Sequence, residues 1–235
     1  MSKRLTGFQQ PPSTGATIIR LLLVMAALLP ATVFAVSEEQ AAVDAIQKHY
    51  DATRTFKADF TQKAYIKMMD QVQETRGEVY IKKPGKMKWI YNAPDPQILI
   101  SNNKTLWLYL PEEKQVNKVP VENVYSNNTP ALFLAGKGKL TEAFNIFQVI
   151  REEDKILLVM IPKKEDTGLE KLVLSADKNN YQIIGSAVYD KLGNKTDISF
   201  SKIEVNLDLP EDMFQFKTPE GVEVMDFSAP PQHTR

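Results

Sequence analysis

The sequence predicts a mainly β protein: one large, curved antiparallel sheet with a few short helices covering one face. Three observations lead there. From Phe56 onward, apolar and polar residues alternate with period two through most of the chain, the signature of half-buried strands. The runs are separated by turns rich in Pro, Gly, Asn and Ser, too short for the crossovers that parallel strands need. Helical periodicity is confined to brief stretches, and no linker longer than a turn divides the strands, so one domain is expected.

Taken in order, Ser37-Glu38-Glu39-Gln40 reads as a capping box. It opens a helix whose stripe is Val43, Ile46 and Tyr50, with Ala42 beside it, ending near Arg54. Phe56, Ala58 and Phe60 then alternate with polar residues as a strand. Further strands are expected at Tyr65–Met69, Gly77–Lys82, Met87–Tyr91, Gln97–Ile100, Thr105–Leu110 and Gln115–Val119. Thr129 as N-cap and Pro130 at the first helical position start a second, nearly all-apolar helix over Asn128–Ala135. A short amphipathic piece, Leu140–Phe144, follows. Strands resume at Ile146–Ile150, Ile156–Ile161, Glu170–Ala176, Tyr181–Tyr189 and Lys195–Phe200, and a last extended segment covers Phe214–Val224.

The first 35 residues stand apart. Ile18 to Leu29 is an apolar run broken only by Arg20, short of the ~20 residues that cross a bilayer. Lys3, Arg4 and Arg20 supply positive charge, and Val33-Phe34-Ala35 suits a signal peptidase. Residues 1–35 therefore read as a secretory signal peptide, leaving 36–235 as a single exported domain. Cleavage removes three basic residues and no acid, so 26 basic and 29 acidic side chains remain of the 29 and 29 in the precursor. A mildly acidic chain with no basic block is a poor nucleic-acid binder.

Composition removes much chemistry. There is no cysteine, hence no disulfide, thiolate site or lipidated N-terminal cysteine. The two histidines, His49 and His233, lie too far apart in sequence to suggest a zinc site or a Ser-His-Asp triad. No G-x-S-x-G, H-E-x-x-H, P-loop or G-x-G-x-x-G motif occurs. Glu152-Glu153-Asp154 reads as a solvated hairpin turn. No catalytic residue, metal or cofactor is expected.

The informative stretch runs from Gly77 to Gln115 and holds both tryptophans, Trp89 and Trp107. With period two, Val79 and Ile81 share a face that ends at Lys83, and Met87, Trp89 and Tyr91 form a second row across the Pro84-Gly85 turn. Periodicity alone favours a plain packed core with Lys83 in a solvated turn. A sheet face covered by a few helices can also leave an apolar cavity.

Ordered motifs add to this reading. Phe56-Lys57-Ala58-Asp59-Phe60-Thr61-Gln62 follows an amphipathic helix. Gly77, the corner Lys82-Lys83-Pro84 and Trp89 come next, then Lys104 to Tyr109, Gln115, Asn128-Thr129-Pro130 and Phe216-Lys217-Thr218-Pro219-Glu220-Gly221-Val222. In order and spacing this resembles the periplasmic outer-membrane lipoprotein carrier family LolA, over residues 56–136 and 213–226. The resemblance implies an incomplete, unclosed antiparallel β-barrel under an α-helical lid, made by the first helix and the Asn128–Ala135 region. It implies a cavity for lipoprotein acyl chains lined by Phe56, Phe60, Val79, Ile81, Met87, Trp89, Tyr91, Leu132 and Phe133. Met87 would sit at the cavity mouth and meet partners there. The corner's second basic residue, commonly Arg, latches the lid to backbone carbonyls; here it is Lys83, which keeps the charge but lacks the five-donor fork. The implied role is a monomeric periplasmic chaperone, not an enzyme. It would receive acylated lipoproteins from a LolCDE-type inner-membrane ABC transporter and deliver them to a LolB-type outer-membrane receptor. A LolB identity would need the missing cysteine. The alternative is a lipid-binding envelope-stress sensor or regulator on the same fold.

Overall fold

The computed structural model describes residues 37–92, 94–122, 139–164 and 168–228. Helix α1 spans Glu38–Ala52 and is capped by Ser37, whose hydroxyl accepts from the Gln40 N–H at 3.1 Å. Only this half of the capping box forms. The Gln40 amide turns outward and donates to Asp44 Oδ1, one helical turn on, at 2.8 Å. Ala42, Val43, Ile46 and Tyr50 are the buried stripe, as helical period predicts. The helix stops where the Thr53 N–H and hydroxyl both return to the His49 carbonyl.

Eleven strands then run in two meanders. The first is β1 (Thr55–Ile66), β2 (Gln71–Lys82), β3 (Lys86–Tyr91), β4 (Gln97–Asn102), β5 (Thr105–Leu110) and β6 (Gln115–Pro120). A one-turn helix α2 (Leu140–Ala143) leads into the second: β7 (Phe144–Arg151), β8 (Lys155–Pro162), β9 (Leu169–Asp177), β10 (Ile183–Asp190) and β11 (Lys195–Val205). A 3-10 turn at Glu211–Phe214 precedes a last short strand, β12 (Glu223–Asp226). All twelve belong to one sheet in the order β12-β6-β5-β4-β3-β2-β1-β11-β10-β9-β8-β7. Its outer strands, β12 and β7, do not pair with each other, so the barrel is unclosed.

The seam between the meanders is the antiparallel pairing of β1 with β11, where Phe60 faces Phe200. Bulges interrupt the ladder at Lys57/Asp59 in β1, at both ends of β10 and at Ile146/Gln148 in β7. Such bulges bend strands and raise their twist. One face carries the main core, built from α1, β1–β3 and β8–β11. On the opposite face the 3-10 turn rests against β3 and β4 with Phe214 fully buried.

Two expected elements differ. Tyr65–Met69 is not a separate strand: β1 continues to Ile66, and Lys67–Asp70 is a turn closed by Asp70 in the left-handed region (φ 49°). Phe214–Val224 is not one extended segment, since Phe214 ends a 3-10 turn and only Glu223–Asp226 is strand. That strand pairs parallel to β6, the exception to an otherwise antiparallel sheet. It can do so because a long return path, rather than a hairpin, brings it to the edge. The expected helix at Asn128–Ala135 lies outside the described residues.

Candidate functional site

Three apolar rows lie side by side under α1. In β1 and β2, Phe56 faces Ile81, Ala58 faces Val79 and Phe60 faces Gly77. In β2 and β3, Ile81 faces Met87, Val79 faces Trp89 and Gly77 faces Tyr91. Directly paired residues share a sheet face, so seven of the nine cavity residues expected from sequence meet on one surface. Leu132 and Phe133, the other two, lie outside the described residues. Trp107 belongs to the opposite face, where its ring stacks near Phe216 at 6.5 Å.

Phe60 is the centre of the rows. Its ring meets Trp89 and Tyr91 edge-on, each at 5.0 Å, the favoured aromatic geometry. Gly77 makes room for it, because a Cβ there would stand 2.9 Å from the Phe60 ring and 1.8 Å from the Ile90 carbonyl oxygen. Phe200 of β11 completes the cluster at 5.2 Å from Phe56 and 6.3 Å from Trp89. The surroundings are dry enough that burial pushes the Tyr91 phenol up and leaves Trp89 Nε1 with no hydrogen-bond partner.

Lys83 ends the Val79–Ile81 row, but not in a solvated turn. Its ammonium donates to the Tyr50 carbonyl at 2.5 Å and lies 3.1 Å from the centre of the Tyr50 ring. Both contacts suit a cation: the carbonyl is at the negative end of α1 and the ring presents its electron-rich face. Burial pushes the ammonium down to about 8, with the Asp51 carboxylate opposing the shift. The corner itself is held by Gly85 at φ 75°, where a side chain would collide with Asn103 Oδ1 at 2.1 Å. Ser101 donates to the Gly85 carbonyl at 3.2 Å.

Three further polar ties hold α1 to the second meander. His49 Nε2 is bonded to Gln182 Oε1 at 2.9 Å, the Leu140 N–H donates to Gln47 Oε1 at 2.9 Å, and Arg151 donates to the Glu38 carbonyl at 2.9 Å. Between α1 and the sheet, beside Lys83, is a mostly apolar cavity of about 20 Å³ lined by Tyr50, Phe56, Ile81 and Ile183 among others. That is room for about one water, far from an acyl chain. Met87, expected at a cavity mouth, is 2% exposed. Phe56, Phe60, Val79, Ile81, Met87 and Trp89 are thus covered in this arrangement. A hollow of about 330 Å³ adjoins Lys83 on the outside, lined by Arg54, Lys82, Asn206, Leu207 and Asp208 among others. Lys82 there is already engaged by the Leu209 carbonyl at 2.6 Å and by Glu211 at 2.8 Å.

Sequence reasoning missed the far side of this surface. Leu158, Met160, Leu172, Leu174 and Phe200 share the core with the three rows. Their alternation marked strands, but nothing local said that β11 returns to β1. Among the described residues no cluster of three or more His, Asp or Glu could hold a metal, and no helix is long and apolar enough to cross a membrane.

The family profile described as outer membrane lipoprotein carrier protein LolA matches residues 51–217, from the last turn of α1 through β11 and beyond. An outer-membrane lipoprotein carrier protein of Azotobacter vinelandii strain DJ is 36% identical over 215 residues, covering 88% of this chain and 99% of that protein. The chain belongs to the LolA family. A second carrier protein, from Pseudomonas paraeruginosa, is 34% identical over 213 residues, covering 88% of this chain and 98% of that one. The LolA fold is matched also by a solved structure from Thermus thermophilus, described as an uncharacterized conserved protein. It has a TM-score of 0.50 and 14% identity, and covers 80% of this chain and 98% of its own.

Proposed function

We propose that this LolA-family chain is a periplasmic carrier of acylated lipoproteins, holding their acyl chains against the face beneath α1. One observation carries the reading: a continuous apolar surface across β1–β3 and β8–β11 is covered by a helix whose ties to the rest of the described residues include Lys83–Tyr50, His49–Gln182, Leu140–Gln47 and Arg151–Glu38. The described row residues are covered, so cargo entry requires their cover, α1 included, to move. Lys83 is then the latch on the first meander, and Met87, covered here, meets a partner only after opening. The relatives matched over nearly their full length are named carriers, which favours this role over a stress regulator.

Energetics explain why such a protein needs no catalytic centre. Three acyl chains hold roughly 40 methylenes, worth on the order of 30 kcal/mol if exposed to water. Free passage through the periplasm is thereby excluded. A carrier exchanges one apolar environment for another at loading and again at unloading. The same reading takes residues 1–35 as a signal peptide removed after Ala35 and the remaining chain as a periplasmic monomer. The donor would be a LolCDE-type transporter and the acceptor a LolB-type receptor.

The test is to incubate the purified protein with spheroplasts of its own bacterium and look for lipoproteins in the supernatant. ATP-dependent release of lipoproteins in one-to-one soluble complexes is the expected result. A folded protein that releases none would overturn the proposal.

A further inference from the structure

The chain has no cysteine and eight methionines, so thioethers are the softest nucleophiles it offers to a two-electron oxidant. Exposure sorts them sharply. Met68 and Met69, side by side in the β1–β2 turn, are 93% and 60% exposed, and Met225 in β12 is 39% exposed. Met87 and Met160 are 2% and 0% exposed. Met213, in the 3-10 turn, is half-buried.

Their surroundings differ as much in what an added oxygen would do. A sulfoxide is polar where the thioether is apolar. Met87 faces Ile81 across β2 and β3, Met160 faces Leu172 across β8 and β9, and both belong to the main core. A sulfoxide oxygen there would be a buried acceptor among apolar neighbours, at a cost in stability. In the β1–β2 turn it would project into water. That turn is held by its backbone and its polar groups. The Met69 and Asp70 N–H groups donate to the Ile66 and Lys67 carbonyls. The Tyr65 hydroxyl donates to Asp70 at 3.1 Å, and the Lys67 N–H to Asn194 Oδ1 at 3.0 Å.

We propose that Met68 and Met69 form a reversible oxidation site, where the chain takes up a peroxide-class oxidant ahead of the sulfur atoms in its core. This goes beyond the carrier reading and does not rest on it. The oxidant alone balances the step. A sulfur lone pair attacks one oxygen of hydrogen peroxide, the S–O bond forms as the O–O bond breaks, and the second oxygen leaves as water with both hydrogens. Sulfur gives up two electrons and the peroxide takes them. A thioether has no proton to lose and hydrogen peroxide is neutral, so access rather than local charge sets the order of attack. The same exposure opens both sulfoxides to methionine sulfoxide reductases.

The test is a time course of the purified protein in hydrogen peroxide, with sulfoxide at each methionine read by peptide mass spectrometry. Met68 and Met69 should oxidise about tenfold or more faster than Met87 and Met160, with Met225 between. When the first two are converted, circular dichroism and urea unfolding should match untreated protein. Sulfoxide reductases of both stereospecificities should then return the starting mass. With peroxide limiting, at about two equivalents, the variant Met68→Leu, Met69→Leu should show about twofold or more sulfoxide at Met225. Both positions are exposed, so the variant should fold. In concentrated urea, where every thioether meets solvent, the rates should converge. Met68 and Met69 reacting no faster than Met87 and Met160 in the folded protein would overturn the proposal. So would unfolding that tracks sulfoxide in the turn while Met87 and Met160 are still reduced, or a variant whose Met225 gains nothing under limiting peroxide.

Discussion

The two ends of the β1–β2 hairpin use the same pair of strands to opposite effect. At one end a lysine is half buried, bonded to a helix carbonyl and set against a tyrosine ring. At the other, two methionines stand in water. By composition alone the assignment would be reversed, because lysine is ordinarily outside and methionine inside. What decides is the cover: α1 lies over the first end, and no described element buries Met68 at the second. The strands are 12 residues each, about 36 Å at 3.3 Å per residue, so the ends are separate sites on one rigid ladder.

The largest effect that sharpens this contrast is a paired truncation. Phe60→Ala removes the ring that Trp89 and Tyr91 pack against and should cost about 3–5 kcal/mol in urea unfolding. Met68→Ala at the far end should stay within about 0.5 kcal/mol of wild type. Equal losses at both positions would break the comparison.

Next is the latch. Lys83→Met removes a charged hydrogen bond of about 1.5 kcal/mol. The last-turn amides of α1 should then exchange roughly tenfold faster with deuterium, by hydrogen-exchange mass spectrometry, while β1–β2 amides keep their rates. Unchanged exchange in α1 would show that the helix is held by the second meander alone.

A smaller effect is pH dependence. Lys83 titrates near 8 in the folded protein against 10.5 for an ordinary lysine. Between those values the unfolded chain binds more protons than the folded one, so this group makes stability rise with pH across that window. By the same linkage, lifting α1 so that Lys83 returns to water is favoured while the amine is protonated, so α1 opening, corrected for the intrinsic pH dependence of amide exchange, should become rarer as pH climbs from about 8 toward 10.5. Arginine stays protonated there, so Lys83→Arg should flatten both trends. A wild-type profile that matches the arginine variant would sink the assignment.

The smallest effect lies at the acid limb. Hydrogen bonds from Lys82 and then Lys86 hold the Glu211 carboxyl at about 2 against 4.5. Its contribution is present above the unfolded value and fades as pH falls toward 2. Glu211→Gln should flatten the fall in stability between those values through an equal loss at neutral pH, a small one because the carboxylate is solvent-exposed.

Much of the candidate site was legible because it is local. Phe56–Phe60, Gly77–Ile81 and Met87–Tyr91 are consecutive in sequence, their alternation selects one face, and the Pro84-Gly85 corner aligns two of the rows. The turn at Lys67–Asp70 reads as strand in the sequence because its apolar content suggests burial. Only the left-handed Asp70 and the tyrosine hydroxyl it receives explain why the chain reverses there.

Sequence by itself determined the strand periods, the α1 stripe and its Ser37 cap, and the absence of cysteine-based chemistry, since each depends on residues within a turn or two of one another. Tertiary structure alone decided that β11 returns to β1 and brings Phe200 to the aromatic cluster. It also decided that β12 runs parallel to β6, that Lys83 reaches a helix carbonyl and that Met87 is covered. Those outcomes join residues from 33 to more than 100 positions apart. No local propensity encodes which distant surface will cover a given face; the burial of both faces together does.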